Sequence, residues 1–166
     1  KQHIFNWVMW PDFSELPTRD NPSIQFQVMN PGDKVCIRAR EIEMIPVNHT
    51  VPGVGYCLSS RRATVAFSGD QNDDNPAFIR LAQGANLLVM AHAVPQHAGP
   101  VAKRLHATPE GIGRLPGEAR IGHLVLSHLM ARSLRALDDS LPRIQALYSG
   151  RVSLAEDLMC VPVPAR

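Results

Sequence analysis

The sequence lacks any apolar run close to the roughly 20 residues that a membrane-spanning helix needs. It also lacks an initiator Met, and its first residues do not have the pattern of a secretory signal peptide. We therefore expect a protein without a membrane segment that resides in the cytoplasm. An export signal encoded upstream of Lys1 is the alternative.

An excess of charge of either sign is lacking, because Lys and Arg number 17, Asp and Glu number 15, and the formal net charge is +2. A nearly neutral chain has little long-range attraction for a polyanion, so the composition disfavours nucleic acid as a partner without excluding a local basic patch. Cysteine is also scarce, with Cys36, Cys57 and Cys160 far apart in apolar surroundings. An odd, scattered set predicts reduced, buried thiols rather than a disulfide framework.

Proline, in contrast, is abundant, and its 14 residues divide the chain into short elements. The first 23 residues have no sustained period, and we expect their aromatic side chains, Phe5, Trp7, Trp10 and Phe13, to pack into a core. Strands are predicted near 24–29, 34–39, 41–47, 54–58, 63–67, 87–90, 123–127 and 152–161. Helices are predicted over 76–83, over 96–105, from Pro109 onward, and over 132–148 with a break at Pro142. The first part of the chain has only predicted strands, and the later part alternates strands with helices. This order predicts one α/β domain in which helices cover a sheet.

Three polar residues directly follow predicted strands: His49, Asp70 and His128. In an open α/β sheet, the strand ends at one edge form the ligand crevice. Imidazole and carboxylate are usual ligands of zinc and other transition metals, so this pattern is compatible with a metal site. The alternative is that these residues lie at the surface or cap the ends of strands.

The segments around these residues resemble, in order, the later motifs of metallo-β-lactamase-fold hydrolases. They are Asn-His-Thr-Val-Pro-Gly-Val-Gly-Tyr over 48–56, Phe-Ser-Gly-Asp over 67–70, His-Ala-Thr over 106–108 and Leu-Val-Leu-Ser-His over 124–128. The most similar branch contains the tRNA 3′-end endonucleases, the class II cyclic-nucleotide phosphodiesterases and their arylsulfatase-like relatives. Residues 3–17 are most similar to the phosphodiesterases, whereas residues 128–132 are more similar to the nucleases and the arylsulfatase-like relatives.

The resemblance implies a site with two Zn²⁺ ions, with Mn²⁺ or Fe²⁺ as alternatives. It implies His49 as a ligand of the first ion, Asp70 as the bridging carboxylate and His128 as a ligand of the second ion. It implies His106 as the residue that protonates or orients the leaving oxygen, after attack by a metal-held hydroxide. The alternatives are that Asp70 caps the following turn and that His106 is only a histidine at a helix entry. His92 lies where the nuclease relatives have a His-Glu pair, and its role stays open.

One departure from the family is an absence, since the sequence contains no His-x-His-x-Asp-His run. That run supplies most of the ligands of the first metal in the family. We therefore expect a layered αββα metallo-β-lactamase-like fold of which residues 1–166 form a single, incomplete domain, the C-terminal portion. We expect this chain alone to be inactive, and to associate either with a missing N-terminal half or with copies of itself.

The implied function is a zinc-dependent phosphodiesterase-type hydrolase that acts on 3′,5′-cyclic nucleotides or a related small ester. One alternative keeps the site and changes the substrate to an RNA 3′ end or an aryl sulfate, because fold and motifs do not settle the substrate. Family members that act on RNA 3′ ends usually have an additional arm that binds the substrate. The sequence has no basic, Gly-rich insertion that could form such an arm. The other alternative is a non-catalytic association domain that retains remnants of the fold.

Overall fold

The computed structural model describes residues 3–164 and divides into two compact units, one ending at Asn30 and the other beginning at Pro31. The first unit contains two short antiparallel strands, β1 (Pro17–Thr18) and β2 (Asn21–Pro22). Residues 24–29 are described and form no strand, so that prediction is wrong. Although apolar and polar residues alternate in this segment, it pairs with no strand among the described residues. The prediction of one domain over 1–166 stays a prediction.

The aromatic residues of the first unit differ in their burial. The ring centroids of Phe5 and Phe13 lie 5.9 Å apart, edge to face, and both residues are half-buried. Trp7 and Trp10, however, are 59% and 58% exposed, so the expectation that they pack into a core is wrong. The reason is a tight loop in which the backbone N–H groups of Asn6 and Trp7 both donate to the carbonyl oxygen of Trp10.

The second unit is built on a seven-stranded sheet whose strands are ordered as in the chain. They are β3 (Lys34–Ile37), β4 (Arg40–Val47), β5 (Gly53–Ser59), β6 (Thr64–Phe67), β7 (Leu87–Ala91), β8 (His123–Ser127) and β9 (Arg151–Leu154). β3 to β6 pair antiparallel, and β6 to β9 pair parallel. The predicted strands from 34 onward are thus confirmed, except that β9 stops at Leu154. As a consequence of the strand directions, β4, β6, β7 and β8 all end at the same edge of the sheet.

Five helices connect or follow these strands: α1 (Pro76–Leu81), α2 (Pro100–Leu105), α3 (Pro109–Glu118), α4 (Ala131–Leu134) and α5 (Leu137–Leu147). Three of them begin with proline, whose fixed φ suits the first helical position. The prediction over 96–105 is only partly confirmed, because the helix starts at Pro100. The predicted break at Pro142 is wrong: the break falls between α4 and α5, and Pro142 lies inside α5. Within residues 3–164 every helix is too short to cross a bilayer.

The hydrophobic core of the second unit is shared by the sheet and by α1, α3 and α5. Its fully buried members include Leu88, Leu124, Phe78, Ile112 and Ile144. Full burial of such a side chain stabilises the folded state by about 1.5–3 kcal/mol, so these helices are held firmly against the central strands.

The cysteines differ from the expectation in their exposure. None of the three forms a disulfide within the described residues, which include all of them. Cys57 is buried on β5, but Cys36 and Cys160 are exposed, so the prediction of burial is wrong for these two. The reason is positional, because β3 is an edge strand and Cys160 follows the last strand of the sheet.

Candidate metal centre

All four predicted site residues lie together at the edge of the sheet where β4, β6 and β8 end. His49 follows β4, Asp70 follows β6 and His128 directly follows β8. His106 is the C-cap residue of α2. The strand directions therefore deliver these side chains to one place, although they are far apart in the sequence.

The carboxylate of Asp70 is the centre of this cluster. Its Oδ1 lies 2.7 Å from His106 Nδ1, which is a short hydrogen bond. Its Oδ2 lies 3.3 Å from the Nε2 atom of His128 and 3.6 Å from the Nε2 atom of His49. Three imidazoles thus surround one carboxylate, and Oδ2 faces two ring nitrogens at once.

His49 is held in a defined tautomer by the backbone of α2. Its Nδ1 atom lies 2.9 Å from the carbonyl oxygen of Leu105. Because a carbonyl oxygen can only accept, Nδ1 carries the hydrogen, and the lone pair of the neutral ring is on Nε2. Nε2 is the atom that faces Asp70. A histidine that donates one ring N–H to a carbonyl and presents the other nitrogen has the arrangement of a metal ligand.

The chain before Asp70 requires glycine. Gly69 has a φ of +60°, and a Cβ atom at this position would lie 2.8 Å from the carbonyl oxygen of Val54. Both the positive φ and the close approach of β5 exclude a larger residue without rearrangement. This turn places the carboxylate at the edge of the sheet, where it remains partly accessible.

Two open clefts flank the cluster. One, of about 380 Å³, is lined by residues of α2 together with His106 and Arg132. The other, also of about 380 Å³, is lined by Phe67, Asp70 and His128, among others. The Nε atom of Arg132 donates to the carbonyl oxygen of Ala93 at 2.9 Å, which fixes this side chain beside the first cleft. The cluster is therefore accessible to a ligand from solvent.

His92 lies at the end of β7 and does not join the cluster. Its side chain is fully buried, and neither ring nitrogen has a hydrogen-bond partner among the described residues. Burial lowers the pKa of this imidazole, so the ring is neutral near pH 7. The sequence left its role open, and the structure identifies it as a buried, neutral histidine directly after β7.

The donor set fits a transition metal ion. Ligand atoms of His49, Asp70 and His106 all lie within 4.8 Å of one another. Imidazole nitrogen and carboxylate oxygen are common zinc ligands. His128 approaches Asp70 but lies outside this group of three. The geometry therefore makes His106 a further candidate ligand, a role that the family resemblance did not imply for it. Three or four donors from one edge are fewer than two ions require.

No protein-family model matches the chain. Part of it is similar to "Ribonuclease Z" of Thermobifida fusca (strain YX), with 36% identity over 90 residues, 53% of this chain and 28% of the relative. Part is similar to "Ribonuclease Z" of Nocardia farcinica (strain IFM 10152), with 33% identity over 92 residues, 55% of this chain and 30% of the relative. The match thus spans less than a third of the length of these curated relatives.

Solved structures cover more of the chain at lower identity. The metallo-β-lactamase fold protein YhfI from Bacillus subtilis has a TM-score of 0.68 and 21% identity, and the match covers 77% of this chain and 52% of YhfI. Human tRNase Z, short form, has a TM-score of 0.62 and 20% identity, with 78% and 44% covered. Unliganded yeast PDE1 has a TM-score of 0.63 and 15% identity, with 93% and 54% covered. The chain therefore has the metallo-β-lactamase fold, as predicted, over about half the length of each of these structures.

Proposed function

We propose that this chain contributes part of the metal centre of a phosphodiester hydrolase. In this proposal His49, Asp70 and His128 bind metal, and His106 is the general acid. The observation that supports it is the meeting of three imidazoles at the two oxygens of Asp70, at distances between 2.7 and 3.6 Å. A bound zinc pair would supply Lewis acidity for the phosphoryl oxygens and for the attacking water.

The role of His106 follows from its hydrogen bond. The Nδ1–H group donates to Asp70 Oδ1, which fixes the orientation of the ring. The other ring nitrogen, Nε2, is then the atom that can give a proton to a leaving oxygen. A carboxylate that orients a histidine in this way has the same role in other acid–base sites.

RNA is the substrate class that we propose first. Two relatives with 36% and 33% identity are named ribonuclease Z, and this makes the composition-based argument against nucleic acid doubtful. A cyclic nucleotide is the second candidate, because residues 3–17 resemble the class II cyclic-nucleotide phosphodiesterases. No observation favours an aryl sulfate.

Zinc titration tests the metal centre. We expect the chain to bind Zn²⁺ weakly, and we expect Asp70→Asn to weaken this binding by at least about tenfold, because a ligand shared by the cluster is lost. The matched control is Asp74→Asn, which alters an exposed carboxylate in the same loop. Isothermal titration calorimetry measures both affinities. Equal zinc affinity of Asp70→Asn and the unaltered chain would contradict the proposed centre.

The activity of the chain by itself is a separate prediction. We expect no turnover of 3′,5′-cyclic AMP, of bis(p-nitrophenyl) phosphate or of an RNA with a 3′ extension, because the donors on this edge are too few for two ions. Product release is followed by chromatography with added Zn²⁺ or Mn²⁺. Two tightly bound zinc ions together with hydrolysis that Asp70→Asn abolishes would refute the prediction of inactivity, and the preferred substrate would then identify the class.

A further inference from the structure

Two neighbouring turns carry a concentration of positive charge at the end of the sheet opposite the Asp70 cluster. The first joins β3 to β4 over residues 37–40, and the second joins β5 to β6 over residues 60–63. The pairing of Glu41 with Ser59 brings the two turns side by side. They carry four exposed arginines, and we name them together the arginine turns: Arg38, Arg40, Arg61 and Arg62. With Ala39 and Ser60, these arginines line an open cleft of about 350 Å³.

These four guanidinium groups have no acidic partner in the part of the chain that the structure describes. Within residues 3–164, the arginine and lysine side chains that form ion pairs are Arg19, Lys34, Arg114 and Arg143. The nearest carboxylates along the chain, Glu41 and Glu43, are both engaged by Lys34 at 3.1 and 2.8 Å. Four cations without an ion-pair partner repel one another, so an anion that binds between them relieves this repulsion.

The backbone of the second turn is fixed, although the arginine side chains are unpaired. Ser60 Oγ accepts from the backbone N–H groups of Arg62 and Ala63, at 3.2 and 3.1 Å. The Ser60 hydroxyl also donates to the carbonyl oxygen of Ala63 at 3.0 Å. The turn is therefore organised before any ligand arrives, which lowers the entropic cost of binding.

The position of the arginine turns limits the size of the ligand. Arg40 is the first residue of β4, and His49 lies just beyond its last residue, Val47. At about 3.4 Å per residue, the seven steps from Arg40 to Val47 extend about 24 Å. A mononucleotide bound at Asp70 is far too short to reach the arginine turns, whereas an extended nucleic acid strand is long enough.

The chemistry of the cleft favours phosphate over a lipid surface. Arginine binds phosphate oxygens through its planar set of N–H donors. Proteins that lie on membranes combine basic residues with large apolar side chains. The largest apolar residue that lines this cleft is Ala39.

We propose that the arginine turns bind the phosphate backbone of RNA at a distance from the Asp70 cluster. The proposal rests on the proposed function for the identity of the bound strand, and it makes an extended RNA rather than a cyclic mononucleotide the substrate. Contacts to phosphate carry no sequence information, so this binding is independent of sequence. The formal net charge of +2 conceals the site, because acidic residues elsewhere balance the four arginines.

The test is RNA binding measured in EDTA, so that the metal centre makes no contribution. Fluorescence anisotropy follows a labelled single-stranded RNA of about 20 nucleotides as salt is raised. Four phosphate contacts predict a slope of log affinity against log salt of about −2.8, or about a 50-fold loss between 50 and 200 mM. The variant combines Arg38→Asn with Arg40→Gln, Arg61→Gln and Arg62→Gln. Asn is chosen for position 38 because its φ is +48°.

We expect this variant to lose at least about tenfold in affinity at 50 mM salt and most of the salt slope. Replacing Arg40, Arg61 and Arg62 by Lys should retain most of both, because charge is kept. A matched pair comparison sets Arg61→Gln with Arg62→Gln against Arg80→Gln with Arg135→Gln, which removes two exposed arginines elsewhere. Circular dichroism verifies that each variant is folded.

Unchanged RNA binding in the fourfold variant, or equal losses in the two matched pairs, would overturn the proposal. So would loss of binding to phosphatidylserine vesicles without loss of RNA binding. Failure of the RNA-binding proposal can be distinguished from failure of the metal-centre proposal. If Asp70→Asn leaves zinc affinity unchanged while the arginine variants lose RNA, the hydrolase proposal fails and the RNA surface stands. If zinc binding depends on Asp70 but RNA binding does not depend on the arginines, the proposed RNA surface fails and the proposed metal centre stands.

Discussion

At the residue scale, the cluster depends on how each imidazole approaches Asp70. His49 has Nδ1 engaged by the carbonyl oxygen of Leu105, so its Nε2 lone pair is available. His106 approaches with Nδ1, which is engaged by Asp70 Oδ1. His128 approaches with Nε2 and has a half-exposed side chain. These differences make His49 and His128 the better candidates for ligands and His106 the better candidate for an acid.

A pair of substitutions distinguishes the two assignments. We expect His128→Gln to reduce zinc affinity by about tenfold or more, and His106→Gln to leave it within about threefold, because only the former removes a proposed ligand. Calorimetric titration with Zn²⁺ measures both, and His97→Gln is the control because His97 is exposed and outside the cluster. If His106→Gln weakens zinc binding more than His128→Gln, then His106 is a ligand and the assignment is wrong.

The glycine before Asp70 gives a prediction about stability. Gly69→Ala combines a positive φ with a contact of 2.8 Å to the carbonyl oxygen of Val54, and we expect it to lower the free energy of unfolding by about 2 kcal/mol or more. Gly84→Ala is the matched control, since Gly84 has a φ of +68° and open space around it. Its cost should be only about 1 kcal/mol. Urea denaturation measures both, and equal costs would argue against the steric part of the explanation.

At the element scale, the start of α3 fixes the segment that carries His106. Thr108 is the N-cap of α3, and its hydroxyl oxygen accepts from the backbone N–H of Gly111 at 3.2 Å. The same hydroxyl donates to Asp73 Oδ2, also at 3.2 Å. The N–H of Ala107 donates to the carbonyl oxygen of Gln71. The loop after Asp70 and the entry to α3 are thus tied together directly after His106.

Loss of this cap should cost stability. Thr108→Ala removes the acceptor for Gly111 N–H, and we expect the free energy of unfolding to fall by about 1 kcal/mol. Thr108→Ser keeps the hydroxyl group and should lose much less. Chemical denaturation compares the three proteins. A serine variant as unstable as the alanine variant would show that the methyl group, and not the cap, is what matters.

At the scale of the whole molecule, two buried histidines make stability depend on pH. Burial lowers the pKa of His92, and burial together with the positive charge of Arg151 lowers the pKa of His123. The unfolded chain therefore binds more protons than the folded chain once the pH falls below about 6.5. The stability contributed by the neutral rings is complete above that pH and is lost as the pH falls toward the lowered pKa values.

Replacement of His92 tests this account. Its ring nitrogens are buried without described partners, so we expect His92→Leu to raise the free energy of unfolding by about 1 kcal/mol at pH 7. The decrease in stability between about pH 6.5 and pH 5 should become smaller, because one of the two protonation sites is gone. Urea denaturation at several pH values provides the measurement, with His97→Gln as the exposed control. An unchanged pH profile in His92→Leu would show that His92 does not contribute.

Much of this molecule was predictable from local pattern. The strands from residue 34 onward and the positions of His49, Asp70 and His128 at strand ends depend on neighbours in the sequence. The break between α4 and α5 was misplaced at Pro142, since a proline inside a helix removes only one backbone hydrogen bond and the surrounding packing can tolerate it. Burial of Cys36 was wrong because its strand lies at the edge of the sheet.

The sequence by itself determined which residue types stand at the ends of the strands, because periodicity and turn chemistry are local. Only the tertiary structure decided which of them meet. His106 reaches Asp70 across 36 positions, and Arg40 lies beside the turn of Arg61 and Arg62 because of the register of β4 and β5. Such contacts depend on strand register and on the burial of the shared core, which involve distant segments at once and leave no signal in any single stretch of sequence.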